Sequence, residues 1–423
     1  MILKGYEKSV IRKSSIFLLL VIPGFILNYL LFFAAGKLLP ANGFGVFYAS
    51  ITLVNIAYAP AFVLSMFFSR HITNKLTDEG IDSAILEFKR CFGFILKWGF
   101  FASIIFLILI PPIQILTGFG SYLLLLVLIL SIYSLYLFEA VRISLEAHKK
   151  ILMVGALTFL ALFFRFVFGI TGLWYYKTAW SGVSGVMLSS ILVVVVFYFY
   201  ILKGHSYRLI LKPEMKMAIN KIPLFSISFG TVAILMYLDI IIAYFLMDYA
   251  NLCIYTASAV LPKGLIVAIM PLMKVLYPII VTDHKLSSTG NTNILKVIFI
   301  TLAVVIAGAS FLIAFDGFFT VSSIAVKSSD TFVFRLISIT VIPLCLVRLL
   351  VVFKLAQNSD KHPLLLLIPA ALFLGYVFFS KPVLVDFAWS FLVFSVSIFI
   401  YYLICCLPDL KFEILNFKKA LKV

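Results

Sequence analysis

The chain has 423 residues, of which 64% are hydrophobic and only 12% are charged. Soluble globular domains are about half apolar and about a quarter charged, so this composition excludes a soluble protein. A membrane-spanning helix needs about 20 apolar residues, which leaves room for about twelve spans and no separate soluble catalytic domain. The net charge of +17 would suggest nucleic-acid binding in a soluble protein, but in a membrane protein it is expected to set the orientation.

Apolar runs long enough to cross a membrane recur along the whole chain. They predict spans over residues 15–36, 44–69, 91–111, 118–140, 153–173, 179–202, 222–247, 252–281, 296–315, 332–353, 363–380 and 384–407. The first run follows Lys8, Arg12 and Lys13 and has no clear cleavage site, so it is predicted to be an uncleaved helix. The sequence therefore predicts an all-α, polytopic membrane protein with about twelve transmembrane helices.

Lysine and arginine are distributed unevenly between the two sets of loops. With the N-terminus in the cytoplasm, the inner segments contain 24 of these residues and the outer loops contain 4. Positive residues concentrate on the cytoplasmic side of membrane proteins, so both termini are predicted to be cytoplasmic.

The two halves repeat the same pattern of spans at a shift of about 208 residues. Span two opens with AN at 41–42, followed by FYAS at 47–50, and span eight opens with AN at 250–251, followed by YTAS at 255–258. Each half has six spans, so the halves share one orientation and would be related by a pseudo-twofold axis along the membrane normal. This predicts two six-helix lobes around a central cavity. The predicted parts are an N-terminal lobe (1–205), a cytoplasmic linker (206–221) and a C-terminal lobe with a basic cytoplasmic tail (222–423).

Several kinds of chemistry are missing from the sequence. It has no G-x-x-x-x-G-K-[ST] loop for ATP phosphates, no H-E-x-x-H and no paired-cysteine metal spacing. Its five cysteines are odd in number and lie in or beside apolar runs, which indicates neither a disulfide framework nor a zinc site. No catalytic residue, metal or cofactor is expected, and short outer loops weigh against a sugar-chain polymerase or ligase.

Six positive residues fall within the predicted spans, where a charge at mid-bilayer costs about 2.5–3.5 kcal/mol. They are Lys97, Arg165, Lys263, Lys274, Arg335 and Arg348. Four of them lie near span ends and can reach an interface as well as a cavity. Arg165 and Lys263 are too deep for that, and we expect them to face a wet cavity or an ion pair.

Asp239 is the one deep acid in the predicted spans, because Glu139, Asp248 and Asp386 lie near span ends. Two interpretations remain open for it. It forms a buried salt bridge to Arg165 or Lys263, or it is the site of a coupling proton or Na⁺.

A cavity with net positive charge suits an anionic substrate such as a lipid pyrophosphate. The predicted anion-binding residues are Arg165, Lys263, Lys274 and Lys97. Tyr48, Thr52 and Asn55 follow one face of span two. With Asn28 in span one and Tyr255 in span eight, they are predicted to bind sugars by hydrogen bonds, the alternative being polar contacts between helices.

Two segments resemble conserved parts of polysaccharide transport proteins. KLLPANGFGVFYASITLV (37–54) resembles the entry to their second span, and IYTASAVLPKGLIVAIMPLMKVLYPIIV (254–281) is similar to their eighth span. The chain thus resembles the lipid-linked oligosaccharide (O-antigen type) flippases of the multidrug/oligosaccharidyl-lipid/polysaccharide exporter superfamily. This resemblance implies a MATE-like fold, a V-shaped cavity between two lobes, and basic cavity residues for pyrophosphate and sugar acids.

The resemblance and the charges together predict a flippase that moves an undecaprenyl-pyrophosphate-linked oligosaccharide across a bacterial inner membrane by alternating access. Lipid-linked oligosaccharide and membrane lipid are the expected partners, a polysaccharide polymerase and glycosyltransferases are candidate partners, and nucleic acid is not expected. One alternative is a cation-coupled multidrug exporter of the same fold, whose cationic substrates would favour acidic cavity residues. The other is a membrane polysaccharide polymerase or ligase.

Overall fold

The computed structural model describes residues 2–117, 121–147, 150–203, 222–248, 250–266, 291–316, 331–356 and 362–420. These residues form α-helices, with one 3-10 helix and no β-strand among them. The helices are α1 (Ile2–Leu38), α2 (Ala41–Glu79), α3 (Ile81–Thr117), α4 (Tyr122–Ala147), α5 (Ile151–Tyr176), α6 (Ala179–Ile201), α7 (Ile222–Leu246), α8 (250–266), α9 (Asn291–Ala314), α10 (Thr331–Ala356), α11 (Leu367–Ser380) and α12 (Leu384–Ala420). The 3-10 helix, His362–Leu366, leads directly into α11.

Each predicted span corresponds to one of these helices, which confirms the all-α, polytopic fold. A helix satisfies its own backbone hydrogen bonds, and lipid offers no other partner for them. Among the described residues, six stretches are long and apolar enough to cross a membrane: Leu20–Leu38, Tyr122–Glu146, Leu152–Tyr176, Ala179–Ile201, Thr331–Val351 and Leu384–Cys406. Helices α1 and α12 extend well beyond the predicted spans, while the span predicted over 252–281 is described only to residue 266.

The connections that the structure describes in full, such as those from α2 to α3, α5 to α6 and α11 to α12, are short, and their backbone geometry explains where these helices stop. Gly80, with φ 90°, separates α2 from α3 in a conformation that side chains other than glycine rarely adopt. Lys177 and Lys381 end α5 and α11 in the left-handed region, and their backbone N–H groups donate to the carbonyls of Leu173 and Val377.

The chain divides into two compact units, Met1–Ser226 and Ile227–Val423. The predicted linker, 206–221, lies outside the described residues, so its cytoplasmic location stays a prediction.

In the N-terminal unit, α5 packs between α1 and α6, and α4 packs against α2, α3 and α6. A Cβ on Gly24 of α1 would meet Leu162, and one on Gly169 of α5 would meet Leu31. From the first contact to the second, the residue numbers rise on both helices, so α1 and α5 run parallel. Phe68, Phe88 and Phe197 belong to a buried apolar cluster that joins α2, α3 and α6.

In the C-terminal unit, α10 packs against α9 and α12, and α11 packs against α12. Phe373 of α11 stacks on Phe394 of α12, with ring centroids 4.2 Å apart. Tyr255 of α8 meets Phe387 of α12 edge-on at 5.2 Å. These aromatic contacts position α8 beside α12, and α8 carries the charged residue described next.

Candidate functional site

A buried ion pair joins α7 and α8 in the C-terminal unit. Lys263 Nζ contacts Asp239 Oδ1, and the two side chains are 2% and 0% exposed. The Tyr255 hydroxyl donates to Asp239 Oδ2 at 2.7 Å, and Lys263 also donates to the Met236 carbonyl at 2.8 Å. Both carboxylate oxygens of Asp239 are therefore engaged.

Helical spacing explains how these groups converge. Tyr255 and Lys263 are eight residues apart on α8, which places them on one face about two turns from each other. The ammonium group of Lys263 lies 5.2 Å from the Tyr237 ring centroid and 5.5 Å from that of Phe391. Aromatic faces attract a cation while excluding water from it. The lysine is thus held by one carboxylate, one carbonyl and two rings.

Such a pair is stable only while both partners keep their charges. Desolvating two charges is costly, and their attraction offsets that cost only with good geometry and further hydrogen bonds. A proton or another cation that reached Asp239 would compete with Lys263 for the carboxylate.

Arg348 of α10 is a second buried cation in the same unit. It is 8% exposed, and it makes no hydrogen bond or ion pair with any residue that the structure describes. Arg335 of the same helix differs, since its side chain is 54% exposed and pairs with Asp316.

The N-terminal unit contains a different polar cluster, between α2 and α4. Tyr58 donates to Glu139, and Arg142 pairs with Glu139 and, at 3.1 Å, with Glu146. Glu139 is 1% exposed. Glu139 lies near the end of a predicted span, yet it is almost as fully buried as Asp239 and contacts Tyr58 of α2. Glu139, Arg142 and Glu146 stand at i, i+3 and i+7 on α4, and this spacing could have indicated the cluster from the sequence.

Arg165 and Asn28 are half-buried on the neighbouring helices α5 and α1. The Arg165 Nε and the Asn28 Oδ1 are buried atoms that have no hydrogen-bond partner among the described residues. The parallel contacts of Gly24 with Leu162 and of Leu31 with Gly169 place Asn28 near the level of Arg165. The sequence left Arg165 and Lys263 open as partners of Asp239. The structure pairs Asp239 with Lys263 and not with Arg165.

The other predicted binding residues are spread over several environments. Tyr48 and Thr52 are 5% and 1% exposed, and the Tyr48 ring contacts Phe32 of α1 edge-on at 5.5 Å. Asn55 is half-buried and Lys97 is exposed. Lys274 lies outside the described residues. Their roles in substrate binding stay predictions. In the described part of the chain, no three His, Cys, Asp or Glu side chains form a cluster that could hold a metal.

Comparison with known proteins identifies the fold. No protein-family model and no curated protein matches the chain. Solved structures do match over almost its whole length. One, a MATE in complex with MaD5, has 14% identity and a TM-score of 0.69, and covers 95% of this chain and 96% of its own.

Two other matching structures show the inward-facing and the outward-facing conformation of a multidrug resistance MATE family transporter of the MOP superfamily. The outward-facing structure has 14% identity, a TM-score of 0.68 and 96% coverage of both chains. The inward-facing one has 13% identity, a TM-score of 0.65, and covers 92% of this chain and 95% of its own. The fold is therefore the one seen in these MATE transporters. The narrower likeness to oligosaccharide flippases is left as a proposal.

Proposed function

We propose that the protein is a cation-coupled exporter that works by alternating access, with Asp239 as the site of the coupling cation. The observation that carries this proposal is the buried pair of Asp239 and Lys263 with Tyr255 donating to the same carboxylate. A carboxylate in an apolar interior needs a positive partner. When a proton or Na⁺ takes that place, Lys263 loses its counter-ion, and α7 and α8 lose the contact that joins them.

The transporter fold supports this proposal over the polymerase or ligase alternative. The matching structures include a multidrug resistance transporter in inward-facing and outward-facing states. A ligand that binds one of two states better shifts the population toward that state. A cation on Asp239 would favour the state in which Asp239 and Lys263 are apart.

The test uses full-length protein in proteoliposomes with an imposed proton or Na⁺ gradient. Gradient-driven movement of a lipophilic cation, ethidium, is expected for the unchanged protein. Asp239→Asn keeps the size of the side chain and removes its charge, so the gradient dependence should disappear.

The matched control is Asp248→Asn in the turn after α7. Asp248 is exposed, and its carboxylate accepts from the backbone N–H of Asn251 at 2.8 Å. Asparagine caps helices equally well, so this variant should transport normally. Coupling at Asp239 is ruled out if a well-folded Asp239→Asn protein keeps its gradient response.

A second candidate function is the flippase for undecaprenyl-pyrophosphate-linked oligosaccharide. It is favoured by Arg165, a half-buried cation with an unpartnered Nε in the described structure, and by Arg348. Cationic drugs would not require such groups, whereas pyrophosphate would. Movement of a labelled lipid-linked oligosaccharide, but not of ethidium, in the same proteoliposomes would establish this function in place of the first.

A further inference from the structure

Helix α3 of the N-terminal unit has one buried face and one exposed face. The buried face belongs to the apolar cluster that joins α3 to α2 and α6, and it includes Ala84, Phe88, Cys91 and Ile95. The opposite face is exposed, and its spacing of 11, 4, 3 and 4 residues follows a single side of the helix: Leu86, Lys97, Phe101, Ile104 and Ile108. Lipid tails cover such large apolar side chains as well as protein does, so we expect this face to meet acyl chains.

Lys97 places a charge within this apolar face. It lies six residues, or about 9 Å along the helix axis, beyond the start of the predicted span at residue 91. The side chain is exposed, and it makes no hydrogen bond or ion pair with any residue that the structure describes. A cation in the hydrocarbon region needs an anion or a polar interface within its reach. Lys97 must therefore find its partner outside the described protein.

The geometry of a helix directs Lys97 toward one leaflet. Side chains on an α-helix lean toward its N-terminus, and the N-terminal end of α3 is the predicted cytoplasmic end. A lysine stem can lie along apolar surface while its ammonium group reaches the headgroup level. Arg90 lies at that level on the same face, seven residues before Lys97, which is close to two full turns. We therefore expect the ammonium group of Lys97 to approach the level of Arg90.

Arg90 has donors to spare for a ligand. Its Nη1 donates to Glu87 at 3.1 Å, and the arginine side chain is 40% exposed. A guanidinium has five N–H donors, so one carboxylate does not use all of them. Glu87 offsets the charge of Arg90, whereas no described residue offsets that of Lys97. One positive charge is thus left over on this face of α3.

We propose that Arg90 and Lys97 bind the headgroup of an anionic phospholipid at the predicted cytoplasmic end of α3, on the lipid-facing surface of the N-terminal unit. The lipid phosphate accepts from both cations, and its acyl chains lie along Phe101, Ile104 and Ile108. Because one positive charge is left over, a lipid with net negative charge fits better than a zwitterionic one. The ligand is a resident lipid of the bilayer, so Lys97 has a role other than the predicted one in a substrate cavity. This site does not depend on the proposed function.

Native mass spectrometry of the purified full-length protein tests the site without any gradient or transport. The probes are phosphatidylglycerol, which is anionic, and phosphatidylethanolamine, which is zwitterionic. The unchanged protein should retain phosphatidylglycerol in preference. Lys97→Met keeps an apolar stem that suits lipid and removes the charge, so phosphatidylglycerol binding should weaken about fivefold. Lys97→Arg keeps the charge and should retain the preference.

Lys177→Met is the matched control, because it removes one exposed lysine charge after α5, on the predicted outer side. It should bind phosphatidylglycerol like the unchanged protein. A phosphatidylglycerol with a photoreactive headgroup should cross-link to residues 81–101 of the unchanged protein and much less to Lys97→Met. The site is overturned by equal retention of both lipids, by full phosphatidylglycerol binding in Lys97→Met, by an equal loss in Lys177→Met, or by cross-links confined to other segments.

Discussion

Removing either partner of the Asp239–Lys263 pair would leave a full charge in an apolar interior. Asp239 has no exposure at all, and water cannot replace its lysine. The tyrosine that also donates to Asp239 stabilises the carboxylate but does not neutralise it. Each partner of the pair is therefore needed to compensate the buried charge of the other.

Lys263→Met should lower the free energy of unfolding by about 3–5 kcal/mol, because it leaves Asp239 buried and unpaired. The double variant Lys263→Met with Asp239→Asn should recover most of that loss, since no charge is then buried. Thermal unfolding in detergent and abundance in the membrane measure both effects. Equal stability of the single and double variants would show that the pair contributes little.

Arg165 and Asn28 show a different situation at the residue level. Each has a buried polar atom without a partner in the described structure, one a donor and the other an acceptor. Unpaired buried groups cost about 1–3 kcal/mol each. The two groups lie at a similar level of α5 and α1.

At the scale of helices, α5 and α6 approach each other closely through small residues. A Cβ on Gly185 would lie 2.7 Å from the backbone N of Gly169 and 2.9 Å from the carbonyl of Arg165. A Cβ on Gly172 would lie 2.6 Å from the carbonyl of Ser181. Close backbone contact through small residues is how helices associate in lipid, where apolar burial gives little advantage.

Gly185→Ala should therefore destabilise the protein by about 1–3 kcal/mol, because backbone atoms of α5 cannot move aside as a side chain could. Gly375→Ala in α11 is the matched control, since a Cβ there meets nothing within 4 Å. Alanine in a helix is favoured over glycine, so the control should be stabilised by about 0.5–1 kcal/mol. Thermal unfolding of the two glycine variants in detergent measures both changes in stability. A stabilised Gly185→Ala protein would contradict the close approach.

At the scale of the whole molecule, the two repeats carry different chemistry. The shift of about 208 residues that aligns Phe47 with Tyr255 in the sequence also aligns Leu31 with Asp239 and Asn55 with Lys263. The N-terminal unit thus has no acid or lysine at these positions, and Leu31 and Phe47 are fully buried there. The proposed cation exchange therefore belongs to one repeat only.

The predicted orientation has a direct test at two exposed lysines. Lys177 follows α5 on the predicted outer side, and Lys203 follows α6 on the predicted cytoplasmic side. After replacement of the native cysteines, a membrane-impermeant maleimide added to intact cells should label Lys177→Cys and not Lys203→Cys. The reverse pattern would invert the topology, and labelling after permeabilisation controls for accessibility.

Much of the fold could be predicted because the signal is local. Helix α5 is apolar along its length apart from Arg165 and two threonines, and in lipid such a segment must satisfy its backbone hydrogen bonds within itself. The candidate site was predicted only in part. Asp239 and Lys263 were identified by depth, but Glu139 was not, since its burial depends on Tyr58 of another helix. Arg348 could have reached an interface by its position along α10, yet it is buried.

The sequence by itself determined that this protein is a membrane-embedded bundle of about twelve helices, because hydrophobicity, length and loop charge are properties of single segments. Only the tertiary structure decided which charges meet. A partner must lie on another helix, at the same depth and on the facing side, and hydropathy contains none of that information. Asp239 thus pairs with Lys263, whereas Arg348, also buried, has no ion pair among the described residues.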